Sequence, residues 1–154
     1  MSSGATTVGP DASPGFLLWR TTLNWQRVMT STLKPLGLTH VQFVLLASVW
    51  WLATQARDNG LLPSQREVAD HAATDVMMTS QVLRALEAQG LVTRTPDSAD
   101  ARIKRLGVTR QGAALARRAV VRVEAADAEF FAAVDSKPLL AALRRLAVPL
   151  SSSA

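Results

Sequence analysis

The chain contains no cysteine, which excludes a disulfide framework, a thiolate metal site and a thiol-based redox switch. It also lacks the usual signatures of catalysis. No glycine-rich phosphate loop follows a candidate strand, there is no Gly-x-Ser-x-Gly elbow, and His40 and His71 do not form a His-Glu-x-x-His pair. No enzyme activity, catalytic residue, bound metal or cofactor is therefore expected. His71 reads as structural, and a zinc site using His40 or His71 with nearby acids is a minor alternative. Long apolar runs are missing too. The longest, FVLLASVWWLA from Phe43 to Ala53, is about half of the roughly 20 residues a membrane helix needs. The opening MSSGATTVGPDAS has no basic stretch followed by an apolar one, so it reads as a disordered arm over residues 1–13, not a signal peptide. The expectation is a cytoplasmic protein without a membrane partner.

What the chain has is hydrophobic mass and a localised charge. Its 154 residues are 48% hydrophobic, enough for one domain with a substantial core. Residues 1–90 carry six basic and six acidic side chains, whereas residues 91–122 carry eight basic ones against Asp97 and Asp100. The overall charge of +5 thus comes from one short segment. Such a patch beside a neutral body points to a polyanion, nucleic acid or an anionic membrane surface, unless it is only a solvated helix face.

Local signals order the rest. Ser13 followed by Pro14 starts a helix that stops around Pro35 and Gly37; its apolar residues occupy more than one face, which implies two packing partners. Thr39 and Gln42 form a capping box for a second apolar helix running to about Arg57. Leu61–Pro63 is too short to be more than an edge strand. Ser64 and Glu67 make another capping box, opening an amphipathic helix over QREVADHAA. A turn at Thr74 and Asp75 leads into a helix from Val76 to Gln89 with Thr79, Val82, Leu83 and Leu86 inward, stopped by Gly90. Two short helices joined by a tight turn make a helix-turn-helix. LVTRT and IKRLGV then read as a hairpin, with Pro96, Asp97 and Ser98 turning at its tip. A long helix is expected from Thr109 to about Val134, with Leu115, Ala119, Val123, Ala126, Phe130 and Val134 in one stripe. Pro138 would start a last short helix carrying Leu139, Leu140, Leu143 and Leu146. The fold class is mainly α with a small β-hairpin wing: a winged helix-turn-helix flanked by terminal helices apolar enough to pack on a second copy.

From Leu38 to Gly112 the chain resembles the MarR family of dimeric bacterial transcription regulators. The resemblance rests on LTHVQFVLL, REVADHAATD, LRALEAQGLVTR and DSADARIKRLGVTRQG in order. The last block carries the family's wing pattern at Asp100 and Arg102 and its helix start at Thr109 and Gly112. It implies a winged-helix DNA-binding domain over residues 38–112, dimerisation helices over residues 14–37 and 113–150, and a homodimer laying one helix per subunit in successive major grooves. On that helix Met77, Met78, Ser80, Gln81 and Arg84 lie off the buried stripe. Gln81 suits adenine, Ser80 a base or phosphate, and the methionines a thymine methyl. The wing would supply Arg94, Asp100, Arg102, Lys104 and Arg105, with Asp100 orienting Arg102 for the minor groove and Lys104 and Arg105 behind it for the backbone. Ser64, Gln65 and Arg66 would offer a helix start to a phosphate. The chain departs from the family at Gln81 and Thr95, where basic residues are frequent, and in its paired methionines.

The family often binds small aromatic effectors between its dimerisation helices and DNA-binding lobe. Trp19, Arg20, Trp25, His40, Trp50 and Trp51 are the candidates for such a pocket, although buried tryptophans are often simply core. The leading expectation is a ligand-responsive repressor that binds a palindromic double-stranded operator. The alternatives are an architectural DNA-binding protein with little sequence preference, or a ligand-binding protein of the same fold that has lost DNA binding.

Overall fold

The structure is a computed structural model that describes residues 9–56 and 60–148. Most of the arm expected over residues 1–13 and the end of the expected last segment lie outside those residues, as does the Arg57–Asn59 stretch. Within them a short 3-10 turn, Pro10–Ala12, precedes helix α1, Pro14–Leu33. Ser13 caps α1 by accepting from the Phe16 N–H at 3.4 Å, and Pro14 occupies the first turn, where no N–H is needed. A second 3-10 turn, Lys34–Leu36, leads to helix α2, His40–Gln55. Its capping box is complete: Thr39 Oγ1 accepts from Gln42 N–H at 3.2 Å, and Gln42 Oε1 accepts from Thr39 N–H at 3.0 Å.

Helix α2 is apolar on almost every side, and such a helix must be surrounded. It packs against α1 and against helices α3 (Gln65–Ala72), α4 (Val76–Ala88) and α5 (Arg110–Phe130), and strand β2 (Lys104–Val108). Leu45, Leu46 and Val49 of α2 are buried with Met29 and Leu33 of α1, Val68 of α3, Leu83 and Leu86 of α4, Leu106 of β2, and Ala116, Ala119 and Val123 of α5. No single helix among the described residues is long and apolar enough to cross a membrane.

Strand β1, Val92–Pro96, pairs antiparallel with β2 in a register running from Val92 opposite Val108 to Pro96 opposite Lys104. The Leu61–Pro63 segment contributes an edge through the Ser64–Arg105 bridge and the Leu106 N–H to Pro63 O bond of 2.8 Å. Between α4 and β1, Gly90 takes φ +71°, which lets the Leu91 N–H return to Leu86 O at 3.0 Å and reverses the chain without Cβ strain. Ala73, between α3 and α4, adopts the same left-handed region at φ 52° with a Cβ present.

Two expected boundaries differ. Helix α5 ends at Phe130, not Val134: Phe130 and Phe131 meet edge to face at 4.9 Å, and residues 131–134 form a turn. Helix α6 starts at Ser136, ahead of Pro138, because Asp135 caps it by accepting from the Lys137 N–H at 3.1 Å. No side chain of α6 is buried, and Leu140, Leu143 and Leu146 are exposed.

Candidate nucleic-acid interface

Helix α4 begins where Asp75 accepts from the Met78 N–H at 2.8 Å. Thr79, Leu83 and Leu86 turn inward and are fully buried. Helical geometry then places Met77, Gln81 and Arg84, spaced four and three residues apart, on the opposite face. Met77 is 76% exposed. Met78 and Ser80 flank that row, Met78 partly covered and Ser80 half-buried. All five side chains expected on this surface are therefore accessible to different degrees, with Met77, Gln81 and Arg84 outermost.

At the wing tip Asp97 and Asp100 organise the loop. One oxygen of Asp97 accepts from the Ala99 and Asp100 N–H groups at 3.0 and 3.1 Å. Asp100 grips Arg102 in a fork, with Arg102 Nε at 3.0 Å from Oδ1 and Nη2 at 2.9 Å from Oδ2, and also accepts from the Arg102 N–H. Yet the Arg102 side chain is 90% exposed, so it is oriented without being covered. The bonds from Arg102 hold the Asp100 carboxyl below the ordinary carboxylate range and raise the guanidinium above its own. Lys104, reaching only the Ala101 carbonyl at 3.4 Å, remains available.

Other expected contacts turn inward. Arg94 donates to Gln65 Oε1 at 3.0 Å and to Glu87 Oε2 at 3.4 Å, and its side chain is 14% exposed. It is a strut between the start of α3 and the end of α4, not a free cation. Gln65 is engaged by the same bond. The Ser64 hydroxyl and amide are used by the capping box with Glu67, at 3.2 and 2.7 Å. That leaves the first-turn N–H groups of Gln65 and Arg66, with the exposed Arg66 side chain, at this helix start. Arg105 is also occupied. Its Nε donates to Asp97 Oδ1 at 2.7 Å and its Nη1 to Leu62 O at 3.2 Å, while Glu67 Oε2 lies 3.6 Å away. The expectation that Arg105 is free for a DNA backbone is corrected accordingly. Asp97 and Glu67 were missed as site residues because their partners are distant in sequence; each had shown only a turn or cap signal.

Between α3, α4 and the wing runs an open groove of ≈ 680 Å³ whose walls carry Arg66, Arg84, Arg94, Arg102, Lys104 and Arg105 against one acid, Glu67. Arg94, Arg102 and Arg105 are ion-paired with Glu87, Asp100 and Asp97, so Arg66, Arg84, Lys104 and the exposed Arg102 give the groove its attraction for an anion.

The six residues expected around an effector do not converge. Trp19 and Trp51 are 63% and 53% exposed, Arg20 is exposed and Trp50 is half-buried. Trp50 and Trp51 lie at the opposite end of α2 from His40, roughly 15 Å along the axis at 1.5 Å per residue. Only Trp25 and His40 meet, edge to face at 5.0 Å, and Trp25 Nε1 donates to Asp127 Oδ1 of α5 at 2.7 Å. Burial holds the His40 imidazole below its ordinary value, with Asp127 opposing the shift. Beside His40 an open cavity of ≈ 390 Å³ is walled by Gln26 and Thr30 of α1, Val41 and Val44 of α2, and Ala72 and Thr74 at the α3–α4 turn. Among the described residues no three His, Cys, Asp or Glu side chains gather to hold a metal.

The MarR family model matches residues 38–104. The HTH-type transcriptional regulator YdcH of Bacillus subtilis (strain 168) is 40% identical over 129 residues, covering 84% of this chain and 85% of that protein. The chain belongs to the MarR family. It is 36% identical over 122 residues to the HTH-type transcriptional repressor Rv2887 of Mycobacterium tuberculosis (strain ATCC 25618 / H37Rv), covering 79% of this chain and 82% of the other. The structure of Rv2887 in complex with DNA matches with a TM-score of 0.67 at 30% identity, over 89% of this chain and 99% of that one. BpsR of Bordetella bronchiseptica, whose structure concerns regulation of DNA binding by 6-hydroxynicotinic acid, matches with a TM-score of 0.76 at 25% identity, over 91% and 94%. This MarR-family chain is thus a winged-helix transcriptional regulator.

Proposed function

We propose that this regulator is a homodimeric repressor that reads a palindromic operator with α4 and the wing, and that a small aromatic or apolar effector releases it. The observation that carries the reading is Arg102, held in a fork by Asp100 at the tip of the wing with its side chain exposed. A pre-oriented guanidinium loses little entropy on entering a narrow, electronegative minor groove. Residues 38–112 form the DNA-reading unit. In the major groove Gln81 pairs with adenine, Met77 and Met78 contact thymine methyls, Ser80 bonds base or phosphate, and Arg84 binds the backbone. Lys104, Arg66 and the free N–H groups at the α3 start neutralise phosphates.

Dimerisation falls to α1, α5 and α6. Support comes from α6, which has no buried side chain, and from Phe16, Leu17, Leu18 and Trp19 of α1, all exposed; apolar surfaces of this kind mark an interface. The effector site is the cavity beside His40. A ligand there touches α1 and the α3–α4 turn together, so it biases the placement of α4 by its preference for one arrangement. The test is competition: the dimer should keep a duplex selected from a random pool when challenged with a large excess of random-sequence duplex. Equal loss to both would leave only non-specific phosphate binding.

A further inference from the structure

We propose that Arg105 is a positioning residue, which transmits the location of α3 to the wing-tip Arg102 through Asp97 and Asp100. This rests on the reading of Arg102 as the minor-groove residue. The bonds form a continuous chain. Leu62 O, in the edge segment before α3, and Glu67, in the first turn of α3, hold the Arg105 guanidinium from one side at 3.2 and 3.6 Å. Asp97 Oδ1 holds it from the other at 2.7 Å. The second oxygen of Asp97 takes the Ala99 and Asp100 N–H groups and so fixes the turn from which the Asp100 carboxylate forks onto Arg102. Burial separates the two arginines: the Arg105 side chain is 17% exposed and that of Arg102 90%.

Direct phosphate binding by Arg105 is disfavoured by the same geometry. A phosphate approaching it would have to displace the bonds to Asp97 and Leu62 O and sit beside two carboxylates, Asp97 and Glu67. A planar guanidinium can bond Asp97 and Leu62 O at once from different nitrogens, whereas a lysine ammonium is a single point charge on a flexible stem. Lysine at this position keeps the charge and loses the link.

The test uses the full chain and duplexes recovered by the wild-type protein from a random-sequence pool. Affinity is measured across a salt series for the wild type, Arg102→Ala, Arg105→Lys, Asp97→Asn and the double variant Arg102→Ala/Arg105→Lys. Arg105→Lys should bind about tenfold more weakly, because two wings must be ordered on binding, while the slope of log affinity against log salt stays at the wild-type value. Arg102→Ala should lose affinity and reduce that slope by about one counterion per subunit. The double variant should match Arg102→Ala alone, because Arg105 acts only through Arg102. Asp97→Asn serves as a second break in the chain should Arg105→Lys fold poorly, with the same expected loss. Wild-type affinity in Arg105→Lys or in Asp97→Asn, a reduced slope in Arg105→Lys, or additive losses in the double variant would each overturn the proposal while leaving Arg102 in place. An Arg102→Ala variant with wild-type affinity and slope would remove the minor-groove reading, and this proposal with it.

Discussion

Replacing Gly112 by alanine pits helix propensity against packing, and the structure says which wins. Gly112 lies in the first turn of α5, where alanine would ordinarily gain up to about 1 kcal/mol. However, a Cβ at this position falls well inside van der Waals contact of Leu91 O, 2.8 Å from Leu91 C and 3.0 Å from Val108 Cγ2. The first two neighbours are backbone, so no rotamer change relieves the clash. Leu91 itself is fixed by its N–H bond to Leu86 O and by the Thr109 N–H and hydroxyl donating to its carbonyl at 3.1 and 3.2 Å. Overpacking of this kind costs about 1–3 kcal/mol, and an immovable neighbour puts it at the upper end. The net destabilisation should be about 2–3 kcal/mol, a drop in Tm of roughly 5–10 °C for a chain of this size. Thermal melts at fixed protein concentration give the answer, since an oligomer's Tm depends on concentration. Gly37→Ala is the comparison: φ is +69° but nothing lies within 4 Å, so it carries only the left-handed strain of about 1–2 kcal/mol. A Gly112→Ala protein as stable as the wild type, or more stable than Gly37→Ala, would refute the reasoning.

Four further outcomes follow from single features. Ala73→Gly should stabilise by about 1 kcal/mol by relieving the left-handed alanine between α3 and α4, visible as a raised denaturation midpoint; a lowered midpoint counts against it. Trp25→Phe removes the indole N–H donor to Asp127 and should cost about 1–2 kcal/mol in urea unfolding; no loss would show that bond to be idle. Because His40 is depressed in the fold, its contribution to stability is complete above its unfolded value of 6.5 and declines as pH falls below it; His40→Gln should flatten stability between about pH 7 and 5, and an unchanged profile would place the dependence elsewhere. Leu143→Asp on α6 should shift sedimentation toward the monomer at micromolar concentration, and an unaltered profile would remove α6 from the interface.

Features written within a few residues were legible beforehand. Both capping boxes, at Thr39–Gln42 and Ser64–Glu67, join residues three apart, and the Asp100–Arg102 fork joins residues two apart. The inward stripe of α4 followed from its period. What escaped depends on closing the hairpin or docking helices. Arg105 meets Asp97 across the wing and Glu67 thirty-eight positions back, and Arg94 meets Gln65 twenty-nine positions away. All three basic side chains of the wing strands look alike in sequence, and only folding separates Lys104, which meets one backbone carbonyl, from Arg94 and Arg105, which are ion-paired. The tryptophans misled for the same reason. Their shared aromatic character suggested one pocket, but Trp25 of α1 meets His40 at the start of α2 whereas Trp50 and Trp51 lie near its other end, too far away to wall the same small cavity. The end of α5 escaped because Val134 continues the apolar period although the chain has already turned after Phe130.

The central claim is that the α4 rows and wings of a dimer read one symmetric site. Footprinting at single-base resolution on a duplex selected by the protein tests it most directly. The account predicts a protected palindrome with half-sites about one helical turn apart, minor-groove protection at both outer ends, and loss of that outer protection in Arg102→Ala. Uniform protection along the duplex, or a single unsymmetric patch that Arg102→Ala leaves unchanged, would contradict it.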